Sequence, residues 1–204
     1  MTRGNGWQPA SGDLTATRGL RDEHKLILKV LGVIERVMLK LRDQPGNPTA
    51  SDVEAVDDCL AFFRLFADAC HHKQEEDILF EELVDRGMPR VAGPIAVMLA
   101  EHDQGRALVR AMTVALESAR GGDADGWSVL ERSTQDYVAL LRRHIMKEDG
   151  VLFEMADNMI AGPACHAICD RYHEACLAKF EGRTRLELEQ LAASLLERYP
   201  PVES

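Results

Sequence analysis

Apolar residues along most of this chain recur at alternating steps of three and four, the period of a helix that buries one face. Leu20, His24, Ile27, Leu31, Ile34, Met38 and Leu41 keep that rhythm and predict a first helix. Gln44-Pro45-Gly46-Asn47-Pro48 ends it, because two prolines and a glycine cannot continue a helix. Ser51 and Glu54 have the spacing of a capping box, so a second helix is expected to start there. Leu60, Phe63, Ala67, His71, Glu75 and Ile78 carry it to a stop at Gly87-Met88-Pro89. A third helix runs through Ile95, Met98, His102, Gly105, Val109, Met112 and Leu116 to Gly121-Gly122. The fourth carries Leu130, Thr134, Tyr137, Leu141, His144, Glu148, Val151 and Met155, and Gly162-Pro163 closes it. Period-two alternation is absent, so no sheet is expected.

Four amphipathic helices joined by short turns have one economical arrangement, an all-α, up-down-up-down four-helix bundle. The pattern places it over residues 16–160, after a flexible segment 1–15 and before a C-terminal helical extension 161–204. The extension is less strictly patterned and has a weak point at Gly182. It is expected either to pack across the outside of the bundle or to mediate self-association as a homodimer.

Histidines break the apolar rhythm once in each bundle helix: His24, His71, His102 and His144 stand where leucine is expected. A polar group in a core costs about 1–3 kcal/mol unless it finds a partner. Glu75 follows His71 by four residues and Glu148 follows His144 by four, so each pair stands on one helix face. Buried glutamates need positive compensation, and Arg106 is the one cation close to these seats in the pattern. Imidazoles and carboxylates around a central space are a ligand set for transition metals. Six protein ligands would crowd one ion, whereas two ions can share the glutamates as bridges.

An internal repeat fixes the register. His71-His72-Lys73-Gln74-Glu75-Glu76-Asp77-Ile78-Leu79-Phe80-Glu81 aligns with His144-Ile145-Met146-Lys147-Glu148-Asp149-Gly150-Val151-Leu152-Phe153-Glu154. Histidine, glutamate at plus four, an acid at plus five, leucine at plus eight and phenylalanine at plus nine all match. Glu23-His24 and Glu101-His102 precede their partners by 47 and 42 residues. The first two helices therefore repeat in the second two, which places two half-sites across a pseudo-twofold axis. The competing pair His72 and Glu76 aligns with Ile145 and Asp149, so His72 is expected at a helix interface or in solvent.

Composition narrows the partners. The 204 residues are 46% hydrophobic and carry a formal charge of -10, which disfavours nucleic acid and anionic membranes as partners. No run approaches the roughly 18 apolar residues of a membrane helix, and Met1 to Leu20 lack the apolar core of a secretory signal. Five cysteines at irregular spacing fit reduced thiols, and the expected compartment is the cytoplasm. Glu-x-x-His and His-Glu-x-x-His are absent, which sets aside ferritin-like di-iron sites and zinc proteases.

Further candidates stand around the six. Glu23 and Glu101 are candidate acceptors for the outward N–H of metal-bound histidines, or else solvated helix residues. Tyr137, about 10 Å along the axis from His144 at ~1.5 Å per residue, either donates toward the centre or is a core aromatic. Gly105, one turn from His102, either opens a pocket or allows close packing. Cys165, Cys169, His173 and Cys176 form a stripe whose preferred reading is small residues at a helix contact, with zinc or redox chemistry as alternatives. One ion cannot collect all four, because the stripe spans about 16 Å.

Glu23-His24, His71-His72-x-x-Glu75-Glu76, Glu101-His102 with Gly105-Arg106, and His144-x-x-x-Glu148 resemble, in order, the motifs of the hemerythrin-like (HHE cation-binding) domain family. The resemblance covers about residues 16–160. It implies a four-helix bundle with two iron ions, a non-haem pair bridged by two carboxylates and an oxo or hydroxo group. The ligands it implies are His24, His71, Glu75, His102, His144 and Glu148. Oxygen-carrying hemerythrins have a further histidine at the seat of Arg106, and an aspartate where Asp149 follows Glu148. Four histidines with two glutamates are closer to the iron-centre repair and other bacterial hemerythrin-like proteins. The expected function is to bind a small diatomic ligand, dioxygen or nitric oxide, for sensing, storage or stress protection. The alternative is a di-iron enzyme or iron donor acting on peroxide, nitric oxide or damaged iron-sulfur clusters.

Overall fold

Leu20, Ile27, Leu31, Ile34 and Met38 all lie on the buried face of α1 (Arg18–Asp43). The computed structural model describes residues 15–43, 49–123 and 125–201. The proline-rich turn 44–48 and all but the last residue of the segment 1–15 lie outside them. The second helical rod spans residues 50–85 without a break and contains α2 (Ala50–Phe62), π-helical turns over Phe63–His72 and Glu75–Leu79, and α3 (Phe80–Asp85). The third rod is α4 (Gly93–Arg120). The fourth, residues 126–159, joins α5 (Gly126–Lys147) through a π-helical turn at Glu148–Leu152 to α6 (Phe153–Met159).

Two local expectations change. The cap of α2 is Thr49, whose Oγ1 accepts from the Asp52 amide at 3.2 Å, and Ser51 lies inside the first turn. Thr49 and Asp52 have the i,i+3 relation expected of Ser51 and Glu54. Asp52 is also fixed from outside the helix, by Lys40 at 2.7 Å and the Tyr199 hydroxyl at 2.6 Å. The extension is two helices, α7 (Pro163–Cys176) and α8 (Arg185–Arg198), parted at the expected weak point by a tight turn with Gly182 at φ 85°. A single β-bridge, Phe180 with Arg183, closes that turn, and no strand occurs among the described residues.

The polar seats divide the core in every rod. One apolar cluster holds Ile27 to Met38, Ala55 to Ala67, Val109 to Leu116 and Leu130 to Leu141. The other holds Leu20, Ile78 to Leu83, Ile95 and Met98, and Leu152 to Ala156. His24, His71, His102 and His144 fall between the two clusters along their rods. Close approach of α4 and α5 depends on Gly126, where a Cβ would lie 2.5 Å from the Ala119 amide nitrogen. Leu188, Ala192 and Leu195 of α8 are fully buried in the larger cluster, so the extension packs on its own bundle. None of the described helices is long and apolar enough to cross a membrane.

Candidate metal centre

Four buried histidines converge between the two apolar clusters, and each presents one ring nitrogen inward and the other to a carboxylate. His24 Nδ1 lies 2.9 Å from Asp149, His71 Nδ1 2.6 Å from Glu23, His102 Nδ1 2.7 Å from Glu76 and His144 Nδ1 3.1 Å from Glu101. A cation anchors each of those carboxylates in turn. Arg21 reaches Asp149, Arg185 reaches Glu23, Arg106 reaches Glu76 and Lys147 reaches Glu101. Such partners fix the imidazole tautomer and raise the basicity of the inward nitrogen.

The pattern is crosswise. The glutamate before each early histidine serves the later histidine of the same half: Glu23 serves His71 and Glu101 serves His144. The acid at plus five serves the early histidine of the other half: Asp149 serves His24 and Glu76 serves His102. Phenylalanines at plus nine follow the same rule, with Phe153 stacked on His24 at 5.2 Å and Phe80 on His102 at 6.0 Å. The matched histidines, plus-five acids and plus-nine phenylalanines thus take corresponding places in the two halves.

Inside this ring stand Glu75 and Glu148, both 0% exposed. Glu75 Oε1 lies 3.5 Å from His71 Nε2 and Oε2 lies 3.4 Å from His102 Nε2. Glu148 Oε2 lies 3.1 Å from His144 Nε2 and 3.3 Å from His24 Nε2. All four carboxylate oxygens, and the Nε2 atoms of His24 and His71, lack hydrogen-bond partners. Leaving a buried polar atom unpaired costs about 1–3 kcal/mol, more when it is charged. Six such atoms in one place are the signature of donors arranged for a cation.

The donors form two overlapping groups whose ligand atoms lie within 4.8 Å of one another. One comprises His24, His71, Glu75 and Glu148; the other comprises His72, Glu75, His102 and His144. His102 Nε2 and His144 Nε2 are 3.1 Å apart. Two nitrogens bound side by side to one ion at about 2.1 Å would be separated by roughly 3 Å, so the pair fits a shared metal.

His72 lies at a helix interface, one of its two expected places, and also stands among the donors. Its side chain is 4% exposed, stacks on His102 at 4.0 Å and joins the second group. It also has the same backing as the other four, with Nδ1 3.4 Å from Asp68, which Arg106 holds at 2.9 Å. His71 and His72 sit at the end of the π-helical turn over Phe63–His72, and both are buried. The second half has no such turn before His144, yet His144 and Ile145 are likewise both buried, Ile145 in the apolar core. The turns at Glu75–Leu79 and Glu148–Leu152, by contrast, occupy matched positions of the repeat.

Proton positions follow from burial and these contacts. Burial, and then the charge of Glu148, push the Glu75 carboxyl well above the usual range. Burial also acts to raise Glu148, but His144 and His24 outweigh it and hold the carboxyl well below that range. His24 loses to burial and gains more from Asp149 and Glu148, which raise it to about 9. Burial foremost depresses His71, His102 and His72, the last to about 4. Protein groups alone therefore keep a proton on Glu75 and positive charge beside Glu148, at the places a bound cation would neutralise.

The family model of the hemerythrin HHE cation-binding domain matches residues 15–156. The chain belongs to that family. No curated protein matches it. Among family seats, that of Arg106 is occupied by a side chain turned outward, bonded to Asp68, Glu76 and Asp103. Asp149 likewise backs His24 and leaves the inward place to Glu148. Glu23 is 4% exposed and Glu101 is half-buried, so neither is a freely solvated helix residue. Tyr137 belongs to the larger apolar cluster, 4.9 Å from the Phe63 ring, and faces Gly105. Sequence reasoning missed the backing roles of Glu76, Asp149 and Asp68 and the cations Arg21, Lys147 and Arg185. The acids at plus five were a visible signal for the first two; Arg185, from α8, left none.

Proposed function

We propose that this hemerythrin-family chain binds two iron ions and uses them to take up a small diatomic ligand, dioxygen or nitric oxide, for sensing, storage or stress protection. His24 and His71 hold one ion, His102 and His144 the other, and Glu75 and Glu148 are shared. His72 adds a fifth imidazole on the second side. The crosswise backing and the divided core support an up-down-up-down order of the four rods. The observation that carries the reading is the set of five imidazoles, each fixed by an anchored carboxylate, around two buried carboxylates without hydrogen-bond partners.

When bound, an iron pair supplies electrons and open coordination positions to a small ligand. The chain's own residues orient and protect it. Phe80 and Phe153 cover the early histidines, the two apolar clusters exclude water from either end, and Glu75 and His24 give up protons as cations enter. Anaerobic reconstitution with ferrous iron tests the reading: two irons per chain are expected, with an absorption change on adding dioxygen or nitric oxide. A chain that retains no iron after this treatment refutes it.

A second reading, turnover of peroxide or nitric oxide or donation of iron, is favoured by one feature. A cleft of about 260 Å³, lined by Asp68, His72, Gly105, Arg106 and Tyr137, leads from the surface to the second group of donors. Steady consumption of excess peroxide or nitric oxide, or rapid loss of iron to a chelator, would select it over reversible binding.

A further inference from the structure

Four of the five cysteines fall into two pairs, and Cys59 is buried apart from them. Cys165 and Cys169 are one turn apart on α7, a placement that holds Cβ atoms about 5–6 Å apart, too far for the 3.5–4.5 Å of a disulfide. Cys70 and Cys176 come from different elements, the second rod and the end of α7, and their thiols are close enough to influence each other. Both sulfurs also touch one amide, with Gln74 Nε2 3.6 Å from Cys70 Sγ and Gln74 Oε1 3.7 Å from Cys176 Sγ.

A cation completes the arrangement. Arg185 Nη1 lies 3.1 Å from Cys176 Sγ and is 28% exposed, and Cys176 is half-buried. Alongside is a cleft of about 490 Å³ with Cys70 and Gln74 on its wall, where Lys73 and Lys179 are matched by Asp77 and Glu181; Ala175, next to Cys176, also lines it. The same Arg185 nitrogen holds Glu23, which backs His71, and Cys70 immediately precedes His71. A thiol pair, a cation on one sulfur, an open cleft and a bonded path to a metal-centre histidine therefore coincide.

We propose that Cys70 and Cys176 are a reversible dithiol oxidised by hydroperoxides, with Cys176 as the attacking sulfur and Cys70 as the resolving one. The Cys176 thiolate attacks hydrogen peroxide: an S–O bond forms, the O–O bond breaks, and hydroxide leaves to take a proton from solvent. Cys70 then gives up its proton and attacks the sulfenic sulfur; the S–S bond forms, and the S–O bond breaks to release a second water. Two thiols are oxidised to one disulfide and one peroxide is reduced to two waters. Hydrogen bonding from Cys70 and the charge of Arg185 bring the Cys176 thiol down to about 7 against the effect of burial, while burial lifts Cys169 to about 11. The thiolate is the nucleophile, so the two sites should react at different rates.

The test uses the full chain, metal-depleted and iron-loaded, so that its outcome is separable from the fate of the iron reading. Stoichiometric hydrogen peroxide is added, remaining thiols are alkylated and peptides are weighed. We expect a Cys70–Cys176 disulfide in both forms, reversed by a dithiol reductant, with Cys59 and Cys169 still alkylated. Cys70→Ser should leave Cys176 as a sulfenic acid that a dimedone probe captures. Arg185→Gln should slow the loss of the Cys176 thiol several-fold, because the cation that favours the thiolate is gone while the Cys70 contact remains. Full alkylation of Cys70 and Cys176 in the wild-type chain after peroxide, or oxidation of Cys169 at an equal rate, would overturn the proposal. Neither result depends on a variant's folding.

Discussion

Glu75→Gln separates the needs of the metal from the needs of the fold. Glu75 is the one residue in both donor groups, is fully buried, and has two oxygens without hydrogen-bond partners. Burial and Glu148 keep a proton on it. An amide of the same shape replaces that neutral acid, so the metal-depleted variant should melt no lower than the metal-depleted wild type. The metal-loaded forms should diverge. An ion at 1,000 times its dissociation constant stabilises the folded chain by about 4 kcal/mol. For a domain of this size each kcal/mol shifts the melting temperature by about 2–4 °C. Two ions should then raise the wild-type midpoint by about 16–32 °C, and most of that rise should vanish in the variant. Differential scanning fluorimetry with parallel iron analysis reads both halves of the claim. A metal-depleted variant that melts many degrees lower, yet still binds two irons and gains the full rise, would show that Glu75 serves packing and would refute the reasoning.

Other consequences are direct. His72→Ala should lower iron below two per chain, measured by elemental analysis, while leaving the ion between His24 and His71 in place. Glu23→Gln, which breaks the contact backing His71, should weaken iron affinity by about 10–100-fold in a chelator competition, the usual effect of removing an outer partner. Lys40, Thr49 and Tyr199 overcome the burial of Asp52, whose side chain is 2% exposed, and lower its carboxyl from 3.8 to about 2. The unfolded chain therefore binds more protons there, so this contribution of about 2 kcal/mol is present above pH 4 and lost as pH falls toward about 2. Urea titration of Asp52→Asn should show that deficit at pH 7, and a gap from wild type that closes in acid. Leu188→Ala, cut from a fully buried seat on α8, should cost about 2–5 kcal/mol and lower the melting midpoint by roughly 4–20 °C. No change in the calorimetric midpoint would mean that α8 is not docked.

Much of the bundle was legible because helix burial has a period, and the seats that violated the period were the ones brought together. Leu20 to Leu41 predicted α1 and the matched blocks predicted the axis relating two half-sites, because duplicated sequence meeting across a core must place like residues alike. Legibility failed where residues from other rods or from far along the chain made the choice. His72 shares burial with its counterpart Ile145, but only the packing of the rods stacks it on His102 and sets it among the donors instead of in the apolar core. The cap at Thr49 failed for a related reason: contacts from Lys40 and Tyr199, distant in the chain, selected one of two equivalent local signals.

By itself, then, the sequence determined which residues are apolar on one face, where helices stop, and that imidazoles and carboxylates recur in a doubled frame, all of which depend on neighbours within a few turns. Tertiary structure alone decided which acid backs which histidine, that Arg185 of α8 ties Glu23 to Cys176, and that Cys70 meets Cys176. Those pairings join residues up to 162 positions apart, and only the packing of rods sets such distances.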